Sequence, residues 1–159
     1  MKLYFLRHGE AGEPSEWAGD DALRPLTDEG RKRMTREART LERLDLGVDR
    51  VISSPLVRAL QTAEIVASAL RRRDRLVEDS RLGPGFGPDR LAEMLKENKA
   101  SRDLLLVGHE PSMSATIGRL TGGTVTLRKG GLARVDLPDR GQLRGTLDWL
   151  FPPRLLLLD

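Results

Sequence analysis

Apolar positions along this chain come in two patterns that take turns. Leu3–Leu6 and Leu104–Val107 are short unbroken apolar runs, and Arg50–Ser53 holds a shorter one at Val51–Ile52. Unbroken runs of this length mark strands covered on both faces. Between them, apolar residues recur at helical spacing. Met34, Ala38, Leu41 and Leu44 follow Thr27, a good N-cap with Asp28 and Glu29 in the first turn, and Gly47 ends that stretch. Leu56, Leu60, Ala63, Ala67 and Leu70 follow Ser54–Pro55 and predict a helix running to about Arg72. Leu91, Met94 and Leu95 predict a helix over Asp89–Asn98, and Met113, Ile117 and Leu120 one from Pro111 to Gly122–Gly123. From Thr124 to Trp149 the pattern changes again. "LARVDL" and "QLRGTLDWL" alternate, as antiparallel strands at a sheet edge do. Gly9–Pro25 and Leu82–Pro88 are turn-rich loops.

Strands and helices that alternate, with no internal repeat and no linker, predict one domain over residues 1–159. Its expected architecture is a three-layer α/β/α sandwich with a mostly parallel central sheet and an antiparallel edge. The stretch between the Arg58 helix and Leu104–Val107 is too short for a cap domain.

Composition narrows the setting. Hydrophobic residues are 38% and charged residues 32%, a globular rather than a disordered balance. Without cysteine there is no disulfide framework and no thiolate metal site, which fits a reducing cytoplasm. Arg7 and His8 cut short the first apolar run, so it is not a signal peptide, and no run approaches the ~20 residues of a membrane span. The net charge of +3 rests mostly on arginine, but stretches such as "RKRMTREARTLER" mix both signs as solvated helix faces do. The run Arg71–Arg73 closes a helix, where cations suit the dipole. Neither a membrane nor nucleic acid is an expected partner.

The chemistry gathers at strand ends. The chain has 2 histidines, and each follows a buried run directly: His8 in "LYFLRHG" and His109 in "LLLVGHE". Ligands of parallel α/β sheets bind beyond the carboxyl ends of the strands, so neighbouring strands would bring both imidazoles into one crevice. Arg7 stands beside His8. Arg58 lies one turn into the next helix, off the stripe Leu56–Leu60–Ala63, and leans back toward the strand end. Helix starts at Ser54 and Glu110 would add amide donors. Two guanidiniums and two imidazoles suit a phosphoryl dianion. No carboxylate cluster calls for a metal, and no cofactor motif is present. With one histidine as nucleophile and the other stabilising the equatorial oxygens, positioning and charge do most of the work of phosphoryl transfer.

"LRHGEA", "SSPLVRALQTA" and "LLVGHEP", in that order, resemble the histidine phosphatase superfamily, the phosphoglycerate-mutase-like family. The short chain, "RPLTDEGR" and "LDWLFPPRLL" are similar to its SixA-type phosphohistidine phosphatases. The resemblance implies that His8 accepts the phosphoryl group, Arg7 and Arg58 clamp its oxygens, and His109 stabilises the transition state. Gly9 would let backbone lie against the imidazole, and the loop would hold His8 in its nucleophilic tautomer. One departure stands out. Many members carry a glutamate general acid after the second helix, where "DSRLGPGFG" here places Pro84. Glu10, Asp20, Asp21 and Glu78 are the substitutes within reach of the alignment. A site without an acid favours phosphohistidine, whose protonated ring leaves as a neutral group. The expected activity is therefore a metal-independent protein phosphohistidine phosphatase. A small-molecule phosphomonoesterase of the same superfamily is the alternative. A non-catalytic basic module for phosphate or nucleic acid would explain the arginines but not both strand-end histidines.

Overall fold

The two unbroken apolar runs lie side by side. In the computed structural model, which describes residues 1–158, strand β1 (Lys2–Arg7) pairs in parallel with β4 (Asp103–Gly108). Asp159, the last residue of the expected domain, lies outside the described residues. The register sets Leu3 opposite Leu104 and Arg7 opposite Gly108, so both strands end at the same level. β2 (Arg50–Ser53) adds in parallel on the far side of β4, and β3 (Leu76–Glu78) in parallel beyond it. On the other side of β1, β5 (Leu132–Asp136) and β6 (Thr146–Phe151) run antiparallel. The sheet order is β3-β2-β4-β1-β5-β6, a mixed sheet with the expected antiparallel edge.

The pleat sorts each central strand between two cores. Tyr4, Leu6, Leu105 and Val107 face one side, where helices α1 (Asp28–Arg43), α2 (Val57–Ala69) and α5 (Pro153–Leu156) cover them. Leu3, Phe5, Leu104 and Leu106 face the other, under α3 (Pro88–Glu97) and α4 (Ser112–Thr121). This is why the runs are apolar without alternation: a residue on either face meets a helix layer. The one polar group in the middle of β1, the Tyr4 hydroxyl, donates to Leu46 O at 2.7 Å, so its burial leaves no donor unpaired. No helix among the described residues is long and apolar enough to cross a membrane.

Four details differ from the pattern reading. The edge strand β3 and the short α5 went unanticipated, because an exposed three-residue strand and a one-turn helix leave no periodic signature. Helix α2 stops at Ala69, since Arg71 takes a left-handed φ of 56° and the Arg72 Nε–H donates to Val48 O at 2.7 Å. Its buried face is Ala59, Ala63, Val66 and Ala67, with Leu60 and Leu70 only half-buried. That rotation brings Arg58 and Thr62 inward, so Arg58 lies on the buried face and not beside it.

The start of α1 is fastened to the loop that leaves β1. Thr27 caps the helix by accepting the Gly30 N–H at 2.9 Å, and the Thr27 N–H donates to Glu10 O at 3.0 Å. A Cβ at Gly30 would overlap the Glu10 carbonyl oxygen. Replacing glycine by alanine in a helix ordinarily stabilises by up to about 1 kcal/mol. Here Gly30→Ala should instead destabilise by about 1–3 kcal/mol, as overpacking does. Urea unfolding monitored by circular dichroism measures it, and a variant as stable as the parent would refute this packing.

Candidate active site

His8 and His109 meet where β1 and β4 end. The His8 N–H continues the ladder to Gly108 O at 3.1 Å, and the two rings stand 5.2 Å apart between centroids, tilted by 53°. His8 Nδ1 lies 2.7 Å from Gly9 O. A carbonyl only accepts, so Nδ1 carries the proton and the Nε2 lone pair is left available. The loop thus selects the tautomer that the family resemblance called for. Gly9 has a more definite reason than closeness to the ring. A Cβ there would stand 2.5 Å from Met34 Cγ, and its N–H donates to Thr62 Oγ1 at 3.1 Å. Met34 and Thr62, from α1 and α2, therefore fix the loop that aims His8.

The two arginines are tethered in the same way. Arg7 Nη1 donates to Leu127 O at 3.0 Å, while its buried Nε–H has no protein partner. Arg58, 6% exposed, donates from Nη1 to Asp21 O at 2.8 Å and from Nη2 to Asp21 Oδ2 at 3.0 Å, and its buried Nε–H also has no partner. Arg7 is held at one terminal nitrogen and Arg58 at both, and each keeps its Nε–H unspent. On the remaining histidine, His109 Nε2 is 2.7 Å from Ser54 Oγ, and Nδ1 is buried without a partner. Unpaired buried donors are costly, and three of the four such atoms found among the described residues belong to this one cluster.

Burial and the nearby cations keep both imidazoles neutral. Burial, then the charges of His109, Arg58 and Arg7, lowers His8 to about 3 against the opposing Gly9 hydrogen bond. Burial, then Arg58, lowers His109 to about 4. A neutral imidazole has a lone pair that can act as a nucleophile at neutral pH. An anion placed between them would reverse the electrostatic part of both shifts and draw protons to the site.

The sequence-derived residues divide as follows. Arg7, His8, Gly9, Arg58 and His109 come together. Glu110 is at the same edge, its Oε1 accepting the Ser114 N–H at 2.9 Å. The expectation of amide donors at Ser54 needs correction. Its N–H is spent on Val107 O at 3.0 Å, and the helices begin later, at Val57 and Ser112, because both motifs leave their strands through an extra loop turn. The candidate acids are all engaged or distant. Glu10 pairs with Lys129 Nζ at 2.8 Å, which holds its carboxyl below the usual range. Asp21 is bound by Arg24 and Arg58 and is likewise lowered, chiefly by the Arg24 hydrogen bond. Asp20 caps the Ala22 N–H, and Glu78 is exposed on β3, separated from β4 by β2. Among the described residues, no group of three or more His, Cys, Asp or Glu side chains is placed to hold a metal ion.

Sequence reading missed the groups that orient these side chains. Thr62, Leu127 and Gly130 reach the site from α2 and the α4–β5 loop, with no local signal. The Gly130 N–H lies 3.1 Å from both Arg7 O and His8 O. Beneath Gly130 is Glu37, 2% exposed, with Oε2 unpartnered. Burial raises its carboxyl to about 8, against Arg33, so it is largely protonated at neutral pH.

The chain belongs to the histidine phosphatase superfamily (branch 1), whose family model matches residues 3–83, and it is a phosphatase of that class. It is similar to the phosphohistidine phosphatase SixA of Escherichia coli K12, 28% identical over 96% of this chain and 94% of that one. The solved structure of the protein histidine phosphatase SixA complexed with tungstate superposes with a TM-score of 0.86, at 27% identity over 98% of this chain and 99% of that one. The alpha-ribazole phosphatase of Shigella flexneri shares the fold, with a TM-score of 0.76 at 22% identity over 96% of this chain and 97% of that one.

These shifts give stability a maximum in pH. Below about 6.5 the unfolded histidines take up protons that the folded ones refuse down to about 3 and 4, so stability falls as pH falls. Above 4.5 the unfolded Glu37 releases a proton that the folded one keeps up to about 8, so its contribution is lost as pH rises. Two histidines outweigh one glutamate below about 6.5, and Glu37 acts alone above it. Denaturant unfolding should therefore show greatest stability near pH 6.5. Glu37→Gln should flatten the alkaline limb, and a stability that still climbs from pH 6.5 to 8 would contradict the assignment.

Proposed function

We propose that this protein hydrolyses phosphohistidine on other proteins through a covalent phosphohistidine intermediate on His8. The observation that carries the proposal is the Nδ1–Gly9 O bond: it leaves Nε2 of His8 unprotonated beside His109, in a cluster where Arg7 and Arg58 keep buried, unpaired Nε–H donors. In the first step Nε2 of His8 attacks phosphorus, a new P–N bond forms, and the P–N bond to the substrate imidazole breaks. If the substrate ring is protonated, it leaves neutral. The Gly9 carbonyl supports the positive charge that develops on the His8 ring, and the two guanidiniums hold the equatorial oxygens. Ser54 Oγ already accepts the Leu56 N–H at 3.3 Å and is free to donate its own proton to His109 Nε2. His109 then presents Nδ1–H to a phosphoryl oxygen. In the second step water attacks phosphorus, the P–Nε2 bond breaks, inorganic phosphate leaves with the water's protons, and neutral His8 is restored.

The choice of phosphohistidine rests on the carboxylates. An alkoxide leaving group, of pKa roughly 15, needs a proton at the moment of cleavage. Glu10 and Asp21 are both held as anions by cations. The SixA structure that superposes best on this chain among those compared above holds tungstate, a tetrahedral oxyanion of the kind two arginine edges suit. No cofactor is required by this scheme, and the proposed setting is the cytoplasm.

Two measurements test it. His8→Ala should abolish turnover of a phosphohistidine protein with the melting temperature nearly unchanged. Wild-type enzyme quenched during turnover should carry acid-labile phosphate on His8, and an active alanine variant would exclude the covalent route. Plotting log(kcat/KM) against leaving-group pKa for aryl and alkyl phosphates should give a steep negative slope. A flat plot, with alkyl esters as good as aryl ones, would point to a general acid and to the small-molecule phosphomonoesterase reading.

A further inference from the structure

Asp21 lies outside all three motifs, yet it takes hold of Arg58. Its carbonyl oxygen accepts Nη1 at 2.8 Å and its Oδ2 accepts Nη2 at 3.0 Å. Together these occupy the end of the guanidinium. The plane of a guanidinium is rigid, so gripping it by its two terminal nitrogens also sets the direction of its other edge, the one that carries Nε–H. That Nε–H is buried and has no protein partner.

The other carboxylate oxygen looks the opposite way. Asp21 Oδ1 accepts Arg24 Nε at 2.9 Å. Arg24 is itself buried, and its Nη1 donates to Ala11 O at 2.8 Å and to Gly12 O at 3.0 Å. Those carbonyls belong to the loop that leaves His8. One carboxylate therefore ties the arginine of α2 to the loop of the nucleophile. It stays an anion at neutral pH, because the Arg24 hydrogen bond and the Arg58 charge hold it below the usual carboxylate range. That state removes it from the list of proton donors.

We propose that Asp21 is a positioning residue for phosphoryl transfer: it chelates Arg58 so that the Nε edge faces the phosphoryl group between His8 and His109, and it links that edge through Arg24 to the loop carrying His8. The proposal builds on the phosphatase reading of this site. It makes a prediction of sign. An anion beside the site repels the phosphoryl group, so removing its charge alone would tighten oxyanion binding and speed transfer. Removing a positioning residue does the reverse.

The test is Asp21→Ala, made in the wild-type chain and in an Arg58→Ala chain, with Asp21→Asn as the variant of matched volume should the alanine protein fold poorly. Two quantities are read: kcat and KM for an aryl phosphate series, and the affinity for tungstate by calorimetry. In the wild-type background, kcat should fall by about tenfold to a hundredfold, the scale of a misplaced reacting geometry, and tungstate should bind more weakly. The fall should be the same factor for good and poor leaving groups. In the Arg58→Ala background the same change should weaken both quantities by a much smaller factor, because only the link through Arg24 is left to lose. Equal losses in both backgrounds, tighter tungstate binding in the wild-type background, or a loss that grows with leaving-group pKa would each overturn the proposal, the last by making Asp21 the general acid. Tungstate binding needs no turnover. A wild-type protein that hydrolyses no phosphate ester or phosphohistidine, yet shows the Asp21–Arg58 coupling in binding, would overturn the phosphatase reading and leave the positioning role standing.

Discussion

The in-register parallel pairing of β1 with β4 is the constraint on which the site depends. With Arg7 opposite Gly108, the residues that follow, His8 and His109, emerge at one level and 5.2 Å apart between ring centroids. A slip of one residue would turn every side chain of a strand to the other face. Both faces are packed: Leu3 and Phe5 against α3 and α4, Tyr4 and Leu6 against α1 and α2. The same burial that fixes the register therefore fixes the histidines.

What is gathered there is expensive to hold. Two guanidiniums and two imidazoles sit in largely buried surroundings, with three buried nitrogens unpaired. The fold limits the cost in two ways. Burial keeps the imidazoles neutral, so only the arginines carry charge. Each arginine is partly solvated by protein oxygens at its far end, Leu127 O for Arg7 and Asp21 for Arg58. The polar capacity left over is of the kind a dianion would use, and a bound dianion would supply the missing partners.

Around this centre runs a second layer that comes mostly from outside the motifs. Thr62 and Met34 shape the turn at Gly9, Gly130 touches the carbonyls of Arg7 and His8, and the Asp21–Arg58 pair joins the first loop to α2. Glu37 under Gly130 adds a protonated carboxyl to that layer. Side chains held by packing and by the hydrogen bonds of their neighbours are pre-organised, which is where electrostatic stabilisation of a transition state gains its strength.

The sequence by itself determined the layers and the cast. Unbroken runs at Leu3–Leu6 and Leu104–Val107 required strands covered on both sides, and two histidines placed directly after them required a shared end if the strands were neighbours. Thr27, Gly122 and the alternation in "LARVDL" placed their elements correctly because caps and period-two patterns are local. The edge strand β3 was invisible because its three residues, two of them exposed, are too few to show a period. The inward turn of Arg58 was misjudged for a related reason. Leu56, Leu60 and Leu70 drew the expected stripe to one side of Ala63 and Ala67, whereas the small Ala59 beside Ala63 and Ala67 lets α2 approach the sheet on a face that includes Arg58. Only the tertiary structure decided which hydrogen bonds orient the chemistry. Asp21 reads as a solvated loop carboxylate until Arg24 and Arg58, from two different elements, are seen to meet on it, because a long-range contact between irregular loop and helix leaves no spacing in the chain to read.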